Sequence, residues 1–304
     1  MPTYNRARFI EEALDSLLGQ TRPPREVLVI DDRSTDDTEE RVRAHALGPR
    51  LVYRRQPEKR GASVARNTGV EMATSDVIVF LDSDDVLERE HHAAMLQILA
   101  GSPDVALVGC DCAVIGPGGE PLHGETWTTI QSRIKRHPIG SGRRTVADIF
   151  LFSTPFPGLT VRREVYRRVG GLDQGLFPLD DYDLQLKVAG SGAGVHYEHR
   201  ALARYRVHGG NESGAARGVR VGEKKLQCVR EARARHPEVA RLGARARRRE
   251  GEVRRELAID RLKQGQLLRG LLDLARSLVE DPRGVADLLR ILGRKLGGRR
   301  PGDP

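Results

Sequence analysis

The chain has few aromatic residues, few cysteines and no long apolar run. Phe, Trp and Tyr make up 4% of its 304 residues, and its three cysteines are Cys110, Cys112 and Cys228. Cysteines in this spacing form neither a disulfide framework nor a zinc pattern, so a reducing cytoplasm is the expected location. No stretch approaches the ~20 apolar residues of a membrane span, and the amino terminus resembles no secretory signal. The scarce aromatics are not interleaved with basic residues, which argues against nucleic acid as a partner.

Charge is distributed unevenly along the chain, whose net charge is +9. Residues 211–304 contain 24 basic and 13 acidic residues, a net of +11, whereas residues 1–210 contain 27 and 29, a net of −2. This shift in composition predicts a near-neutral domain at residues 1–210, followed by a helical basic carboxyl-terminal region at 211–304.

Strand-like and helix-like patterns alternate through the first of these regions. Val27–Ile30 and Val77–Leu81 are apolar runs typical of strands buried on both faces. Further strands are predicted at 105–115, 159–161 and 195–207, and helices at 61–73, 88–100, 163–169 and 180–189. Residues 116–143, rich in glycine, proline and polar residues, are predicted as loop. The alternation predicts an α/β fold with a mostly parallel sheet and helices on both faces.

Carboxylates directly follow the first two apolar runs. The first run ends in Asp31 and Asp32, and the second in Asp82, Asp84 and Asp85. Ligands of open parallel sheets bind outside the carboxyl ends of the strands, and clustered carboxylates repel one another unless a cation or proton compensates. Mg²⁺ and Mn²⁺ prefer oxygen ligands and often bridge carboxylate to phosphate. The second cluster therefore favours a metal-diphosphate site, and the alternative is an acidic cap of the next helix.

Seven short motifs spread over residues 2–213 resemble glycosyltransferase family 2, whose members have the Rossmann-like GT-A fold. They are P-T-Y-N-R at Pro2, V-L-V-I-D-D at Val27, G-A-S-V-A-R-N-T-G at Gly61, F-L-D-S-D-D at Phe80, G-G-L-D at Gly170, L-D-D-Y-D-L at Leu179 and Y-R-V-H at Tyr205. The resemblance implies an inverting, metal-dependent enzyme that moves a sugar from a nucleoside-diphosphate sugar to a hydroxyl of a sugar or lipid-linked acceptor. The expected setting is cell-surface polysaccharide or glycolipid synthesis.

The resemblance implies a divalent metal, Mn²⁺ or Mg²⁺, near the second carboxylate cluster. Asp84 would coordinate it, and Asp82 would assist or hold the ribose. His208 would ligate the metal or contact phosphate, since neutral imidazole is a common ligand. The alternative for His208 is a structural or exposed histidine.

The nucleotide would be held by residues of three other motifs. Thr3 and Asn5 would contact the nucleoside, and the alternative is an ordinary turn. Asp32, rather than Asp31, would accept a hydrogen bond from the base or ribose, and the alternative is an acid at a helix start. Arg66 would pair with phosphate, and the alternative is a solvated helix face.

Asp181 is the predicted catalytic base. A sugar hydroxyl is a poor nucleophile, so a positioned carboxylate must take its proton as it attacks. Family members usually have Glu-Asp here, and this chain has Asp180-Asp181, so the departure falls on the neighbour of the implied base. The alternative is a carboxylate that caps the helix.

Two further departures concern the amino terminus and Arg33. The family has an apolar strand before P-T-Y-N, whereas Met1 directly precedes Pro2 here. A chain without that central strand is expected to be unstable or aggregation-prone, because neighbouring backbone groups lose their partners. Arg33 stands where the family favours glycine, close to the predicted base pocket.

The basic region lies outside the motifs and contains two apolar periodicities. The first comprises Leu267, Leu268, Leu271, Leu272 and Leu274, and the second Val285, Leu288, Leu289, Ile291, Leu292 and Leu296. Each predicts an amphipathic helix. One interpretation is helices that cover a core. The other is peripheral contact with an anionic membrane at its inner face, where lipid-linked acceptors would lie.

Two rival functions remain open from the sequence. A nucleotidyltransferase on a similar scaffold would carry a glycine-rich, basic phosphate loop near its amino terminus, and no such loop is present. A non-catalytic, truncated relative would keep the fold and bind nucleotide without turnover.

Overall fold

The computed structural model describes residues 1–130, 140–211 and 218–284, in two compact units, Met1–Asn211 and Glu212–Pro304. In the first unit the strands are β1 Pro2–Thr3, β2 Val27–Asp31, β3 Leu51–Arg55, β4 Val77–Val79, β5 Val86–Leu87, β6 Val105–Ile115, β7 Pro121–Thr126, β8 Gly142–Arg144, β9 Thr160–Arg162 and β10 Gly194–Arg206. The helices are α1 Ile10–Leu18, α2 Thr38–Ala44, α3 Ala62–Met72, α4 His91–Gly101, α5 Val146–Leu151, α6 Arg163–Arg168 and α7 Asp180–Gly190, with 3₁₀ turns at Gly48–Arg50 and Gln174–Leu176.

The first sheet is parallel, in the order β1-β2-β3. Pro2 pairs with Ile30 and Thr3 with Asp31, so β1 provides two residues at the position where the resemblance expects a longer strand. Because parallel strands end at one edge, this register places the segment after Thr3 beside the acidic end of β2.

The second sheet is mixed, and its main path runs β4-β9-β6-β10-β5. The long strands β6 and β10 pair in parallel, whereas β9 runs antiparallel to both β4 and β6. Within the described residues no backbone ladder joins the two sheets. The predicted strand Val77–Leu81 is shorter than expected, because β4 ends at Val79. Strand β4 is half-buried, and within the predicted run only Phe80 and Leu81 are buried.

The core of the first unit lies between α1, α4 and the central strands. Ile10 and Leu14 of α1 pack with Val29 of β2, Met95 of α4 and Val108 of β6, and all five side chains are fully buried. Each such burial contributes about 1.5–3 kcal/mol. Strand β6 has the predicted bounds and is apolar almost throughout because both its faces are covered.

The prediction of a continuous loop at 116–143 is wrong. Pro121–Thr126 forms β7, which pairs antiparallel with β6, and β8 begins at Gly142. A reversal at Gly116–Glu120 makes this a hairpin, in which the Gly116 amide donates to the Glu120 carbonyl at 2.7 Å. The strand has little β-forming composition of its own and is held by the edge of β6.

The second unit is helical where it is described. Its helices are α8 Gly218–Arg235, α9 Pro237–Arg241, α10 Ala244–Lys263 and α11 Leu267–Glu280, and α10 packs against both α8 and α11. The first predicted amphipathic helix is therefore α11, and the second, at Val285–Leu296, lies outside the described residues. No helix among the described residues has the length and apolarity that crossing a membrane requires.

Candidate active site

Three carboxylates gather in the segment between Phe80 and β5. One oxygen each of Asp82, Asp84 and Asp85 lies within 4.8 Å of the others. The segment turns tightly, because the Asp85 amide donates to the Asp82 carbonyl at 3.1 Å. The Asp82 side chain is 30% exposed, Asp84 is 12% exposed and Asp85 is buried. The cluster thus opens to solvent on the Asp82 side.

The neighbouring carboxylates act on the protonation of Asp85. Burial, and then the charges of Asp84 and Asp82, raise the pKa of Asp85 well above its ordinary value, although Arg206 acts in the opposite direction. Hard carboxylate oxygens at this spacing suit a divalent cation such as Mg²⁺ or Mn²⁺. The donor set therefore fits the metal that the sequence predicted.

Arg206 of β10 holds the carboxylate cluster in place through hydrogen bonds to Asp84 and Asp85. Its side chain is 1% exposed, its Nε donates to the Asp84 carbonyl at 2.8 Å, and its backbone amide donates to Asp85 Oδ1 at 2.8 Å. A terminal nitrogen donates to Glu12 Oε2 at 2.5 Å, which supplies the charge partner. Sequence reasoning missed this residue, although it lies within the Y-R-V-H motif, two positions before His208.

Asp84 already has two cationic or polar partners. Its Oδ2 accepts from Arg6 Nε at 3.1 Å and lies 3.0 Å from His208 Nε2. Since His208 Nδ1 accepts from the Gly210 amide at 3.0 Å, this hydrogen-bond network assigns the ring proton to Nε2. In this arrangement His208 donates to Asp84, and it would have to exchange that proton before it could ligate a metal through Nε2. Arg6 was not singled out from the sequence.

Arg66 joins the metal-type cluster to the start of α7. Its terminal nitrogens lie 2.6 Å from Asp82 Oδ1 and 3.5 Å from Asp180 Oδ2, and Ser63 Oγ donates to the same Asp180 oxygen at 2.7 Å. Burial alone would lower the pKa of Arg66, but the charges of Asp82 and Asp180 outweigh it and hold that pKa above its usual value. The Phe156 ring stacks under the guanidinium at 4.4 Å. Arg66 is thus a fixed cation between carboxylates, not a solvated residue.

Asp181 lies in the first turn of α7, next to the buried Asp180, and is itself half-buried. Burial, and then the negative charge of Asp180, raise the pKa of Asp181 to about 7. The backbone amides of Asp181 and Tyr182 oppose this shift but do not cancel it. A carboxyl with such a pKa can exchange a proton near neutral pH.

The Asp32 side chain points toward the loop that precedes α3. Its carboxylate accepts from the amides of Arg60 at 2.7 Å and Gly61 at 2.8 Å, and from Gln56 Nε2 at 3.2 Å. Asp32 therefore fixes the loop that leads into α3. Asp31, which is fully buried, binds the Ser34 amide at 2.8 Å and the Tyr53 hydroxyl.

Asn5 follows β1 and Arg33 follows β2, and both have left-handed backbone conformations, with φ of 51° and 76°. Asn5 Oδ1 accepts from the Thr35 amide at 2.8 Å, and the Asn5 amide donates to Ser34 Oγ at 2.9 Å. Asparagine tolerates this conformation better than most residues, whereas arginine is strained by it. Glycine, which the family resemblance expects at position 33, adopts this backbone conformation without that strain.

Thr3 lies at the end of β1, and its carbonyl accepts from the Asp32 amide at 2.9 Å. Its hydroxyl is buried and has no hydrogen-bond partner among the described residues. Thr3, Asn5 and Asp32 thus meet at one edge of the first sheet, as the parallel register requires.

The fold of this chain resembles that of a solved mannosyltransferase. The mannosyltransferase PcManGT from Pyrobaculum calidifontis, solved with GDP-Man and Mn²⁺, superposes with a TM-score of 0.65 over 99% of this chain and 79% of its own, at 23% identity. That similarity defines the fold as GT-A.

Sequence comparison gives the family. The model of glycosyl transferase family 2 matches residues 1–169, more than half of the chain. An uncharacterized glycosyltransferase of Haemophilus influenzae is 25% identical over 79% of this chain and 78% of its own length. "Putative teichuronic acid biosynthesis glycosyltransferase TuaG" of Bacillus subtilis is 33% identical over 32% of this chain and 39% of its own length. The chain belongs to glycosyltransferase family 2 and is a glycosyltransferase.

Proposed function

We propose that this glycosyltransferase is an inverting, metal-dependent enzyme that uses a nucleoside-diphosphate sugar. The observation that carries the proposal is the cluster of Asp82, Asp84 and Asp85, whose oxygens converge within 4.8 Å in the segment between Phe80 and β5. A nucleotidyltransferase is disfavoured, because the family match covers the same residues.

Asp84 and Asp82 are the proposed ligands of Mn²⁺ or Mg²⁺. A bound divalent ion would neutralise charge that develops on the departing diphosphate. Asp85 would hold the segment in place through its bond with the Arg206 amide. His208 would join the ligand set, or contact phosphate, after its hydrogen bonds with Asp84 and Gly210 rearrange.

Thr3, Asn5 and Asp32 are the proposed nucleoside contacts. The Thr3 hydroxyl is buried without a partner among the described residues, and a nucleoside would supply one. Asp32 already accepts from two backbone amides and from Gln56, which leaves about one of the roughly four lone-pair sites of its carboxylate for a nucleoside donor. Arg66, which lies between Asp82 and Asp180, is the proposed cationic partner of the diphosphate.

Asp181 is the proposed base. Its carboxylate would take the proton of the acceptor hydroxyl as the hydroxyl oxygen forms its bond to the anomeric carbon. In the same displacement the bond from that carbon to the diphosphate oxygen breaks, so the configuration inverts. The raised pKa of Asp181 supports this role, because a base works best when its pKa lies near the operating pH.

The proposed acceptor is a sugar or lipid-linked sugar used in cell-surface polysaccharide or glycolipid synthesis. The similarity to TuaG, which is named as a putative teichuronic acid biosynthesis glycosyltransferase, supports an envelope polymer as the setting.

Asp181→Asn separates binding from chemistry. The variant keeps the size of the side chain but lacks the proton acceptor, so donor affinity should persist while transfer falls by about 10²–10⁴-fold. The assay screens UDP- and GDP-sugars for release of free nucleoside diphosphate with Mn²⁺ and acceptor. Asp76→Asn, the same change on a fully exposed side chain, is the matched control and should be unaffected. Near-normal turnover in Asp181→Asn would remove that residue from the mechanism.

A further inference from the structure

Helix α11 turns its apolar face to solvent. Its most exposed apolar side chains are Leu267 (63%), Leu268 (75%), Leu271 (56%), Leu272 (51%) and Val279 (82%). At 3.6 residues per turn these side chains fall on one side of the helix. Single exposed leucines are common on protein surfaces, but a contiguous patch of this kind marks an interaction surface.

The opposite face of α11 is polar and points into the second unit. Asp273 pairs with Arg254 at 3.5 Å and also with Arg261, and Glu280 pairs with Arg254 at 2.5 Å. Gly270 lies so close to α10 that an added Cβ would stand 2.7 Å from the Leu262 side chain. The helix is therefore anchored by its polar side.

This anchoring prevents the helix from turning its leucines inward. Rotation would break buried arginine–carboxylate pairs and leave uncompensated charges, which is strongly unfavourable. The apolar face, which we call the α11 face and define by Leu267, Leu268, Leu271, Leu272 and Val279, is thus fixed outward. Helix α10 does not cover this face, so its burial requires a different partner.

We infer that the α11 face docks on an anionic lipid surface. Residues 211–304 carry a net charge of +11. Arg269 and Arg276 are exposed and follow one edge of the face by helical spacing. Helices that lie in the membrane interface combine an apolar stripe with flanking cations, which attract acidic headgroups.

Charge also favours a lipid surface over two other candidates for covering the α11 face, a second copy of the chain and residues 285–304. A second copy of the chain would bring a second basic region against the first, so like charges would oppose the contact. Residues 285–304 contain five basic and two acidic residues, a net of +3, so they too are basic. A lipid surface supplies both the apolar medium and the opposite charge. The inference does not rest on the transferase chemistry, because binding is measured without donor.

The test is co-sedimentation of the full chain with vesicles of phosphatidylcholine alone and with phosphatidylglycerol added. The chain should bind the anionic vesicles, bind neutral ones far less, and lose affinity as salt is raised. Leu268→Gln/Leu272→Gln should weaken binding by about tenfold or more. Leu18→Gln is the matched control, since Leu18 is 41% exposed in the first unit, and it should bind as the wild type does.

Other outcomes overturn the inference. Absence of vesicle binding, or binding that the leucine double variant leaves unchanged, contradicts it. Light scattering that shows a dimer dispersed by the same variant would assign the face to self-association instead. If the double variant misfolds by circular dichroism, Arg269→Gln/Arg276→Gln provides the second test, and unchanged affinity at low salt in that variant also contradicts the proposal.

Discussion

The acid limb of the pH–rate profile reports on Asp181. Lowering the pH below about 7 should protonate this carboxyl, whose pKa burial and then Asp180 raise to about 7. A protonated base cannot accept the proton of the acceptor hydroxyl. The rate of transfer under kcat/KM conditions should therefore fall as the pH is lowered from neutrality.

The size of the effect follows from the fraction ionised. With a pKa of about 7, roughly half of the enzyme has ionised Asp181 near pH 7, about one tenth near pH 6 and about one hundredth near pH 5. An aspartate with the ordinary pKa of about 3.9 would be more than about 90% ionised near pH 5. The two cases differ by nearly two orders of magnitude in rate at that pH.

Asp180→Asn tests the physical cause. The variant removes the second-largest contribution to the raised pKa but keeps an oxygen that accepts from Ser63 Oγ, which now lies 2.7 Å from Asp180. The acid limb should move to lower pH. Release of nucleoside diphosphate is followed across pH for wild type, Asp180→Asn and the exposed-site control Asp76→Asn, which should leave the limb in place.

Two results would refute this reasoning. One is a profile that stays flat from about pH 7 to 5, and the other is a limb that Asp180→Asn does not move. The sign of the stability effect is a further check. Because the folded pKa lies above the ordinary value, the contribution of Asp181 to the free energy of unfolding falls as pH rises from about 4 to about 7.

Two other substitutions follow from the geometry. Arg33→Gly should raise the free energy of unfolding by about 1 kcal/mol, because Arg33 has φ of 76° and glycine relieves that strain. Urea denaturation measures this free energy. Arg33→Ala keeps a Cβ and should give no such gain. An equal gain in both variants would point away from backbone strain. Arg6→Ala should tighten the binding of Mn²⁺ alone severalfold in calorimetry, since the Arg6 Nε now lies 3.1 Å from Asp84 Oδ2 and competes for that carboxylate. Arg8→Ala, at an exposed neighbour, is the control, and weaker Mn²⁺ binding in Arg6→Ala would show that Arg6 organises the site instead of competing for it.

Local pattern predicted the elements that are strongly apolar or clearly periodic. Strand β6 was predicted with the bounds Val105–Ile115 that it has, and the helix that begins at Asp180 was predicted at its first residue. Strand β7 was missed because Pro121–Thr126 has weak β propensity and pairs only through the edge of β6. Its existence depends on a tertiary contact that composition does not encode.

In the candidate site, too, local motifs were predictive, whereas contacts between distant parts of the chain were not. The motifs predicted which carboxylates would follow the strands, and the structure brings Asp82, Asp84 and Asp85 together. The supporting cations were missed, since Arg206 lies about 120 residues beyond the cluster and reaches it only across the β10–β5 pairing. Arg6 was missed because a surface-type arginine after a turn carries no sign of a partner 78 residues away.

The most direct test of the central claim is calorimetric titration of wild type and Asp84→Asn with UDP and with GDP, in Mn²⁺ and in EDTA. We expect wild type to bind at least one of the two nucleotides about tenfold or more tightly with Mn²⁺ than in EDTA, because a metal held by these carboxylates would supply positive charge for the diphosphate. Asp84→Asn should lose that difference, and Asp76→Asn should retain it. Equal affinity in Mn²⁺ and in EDTA, with Asp84 intact, would contradict the account.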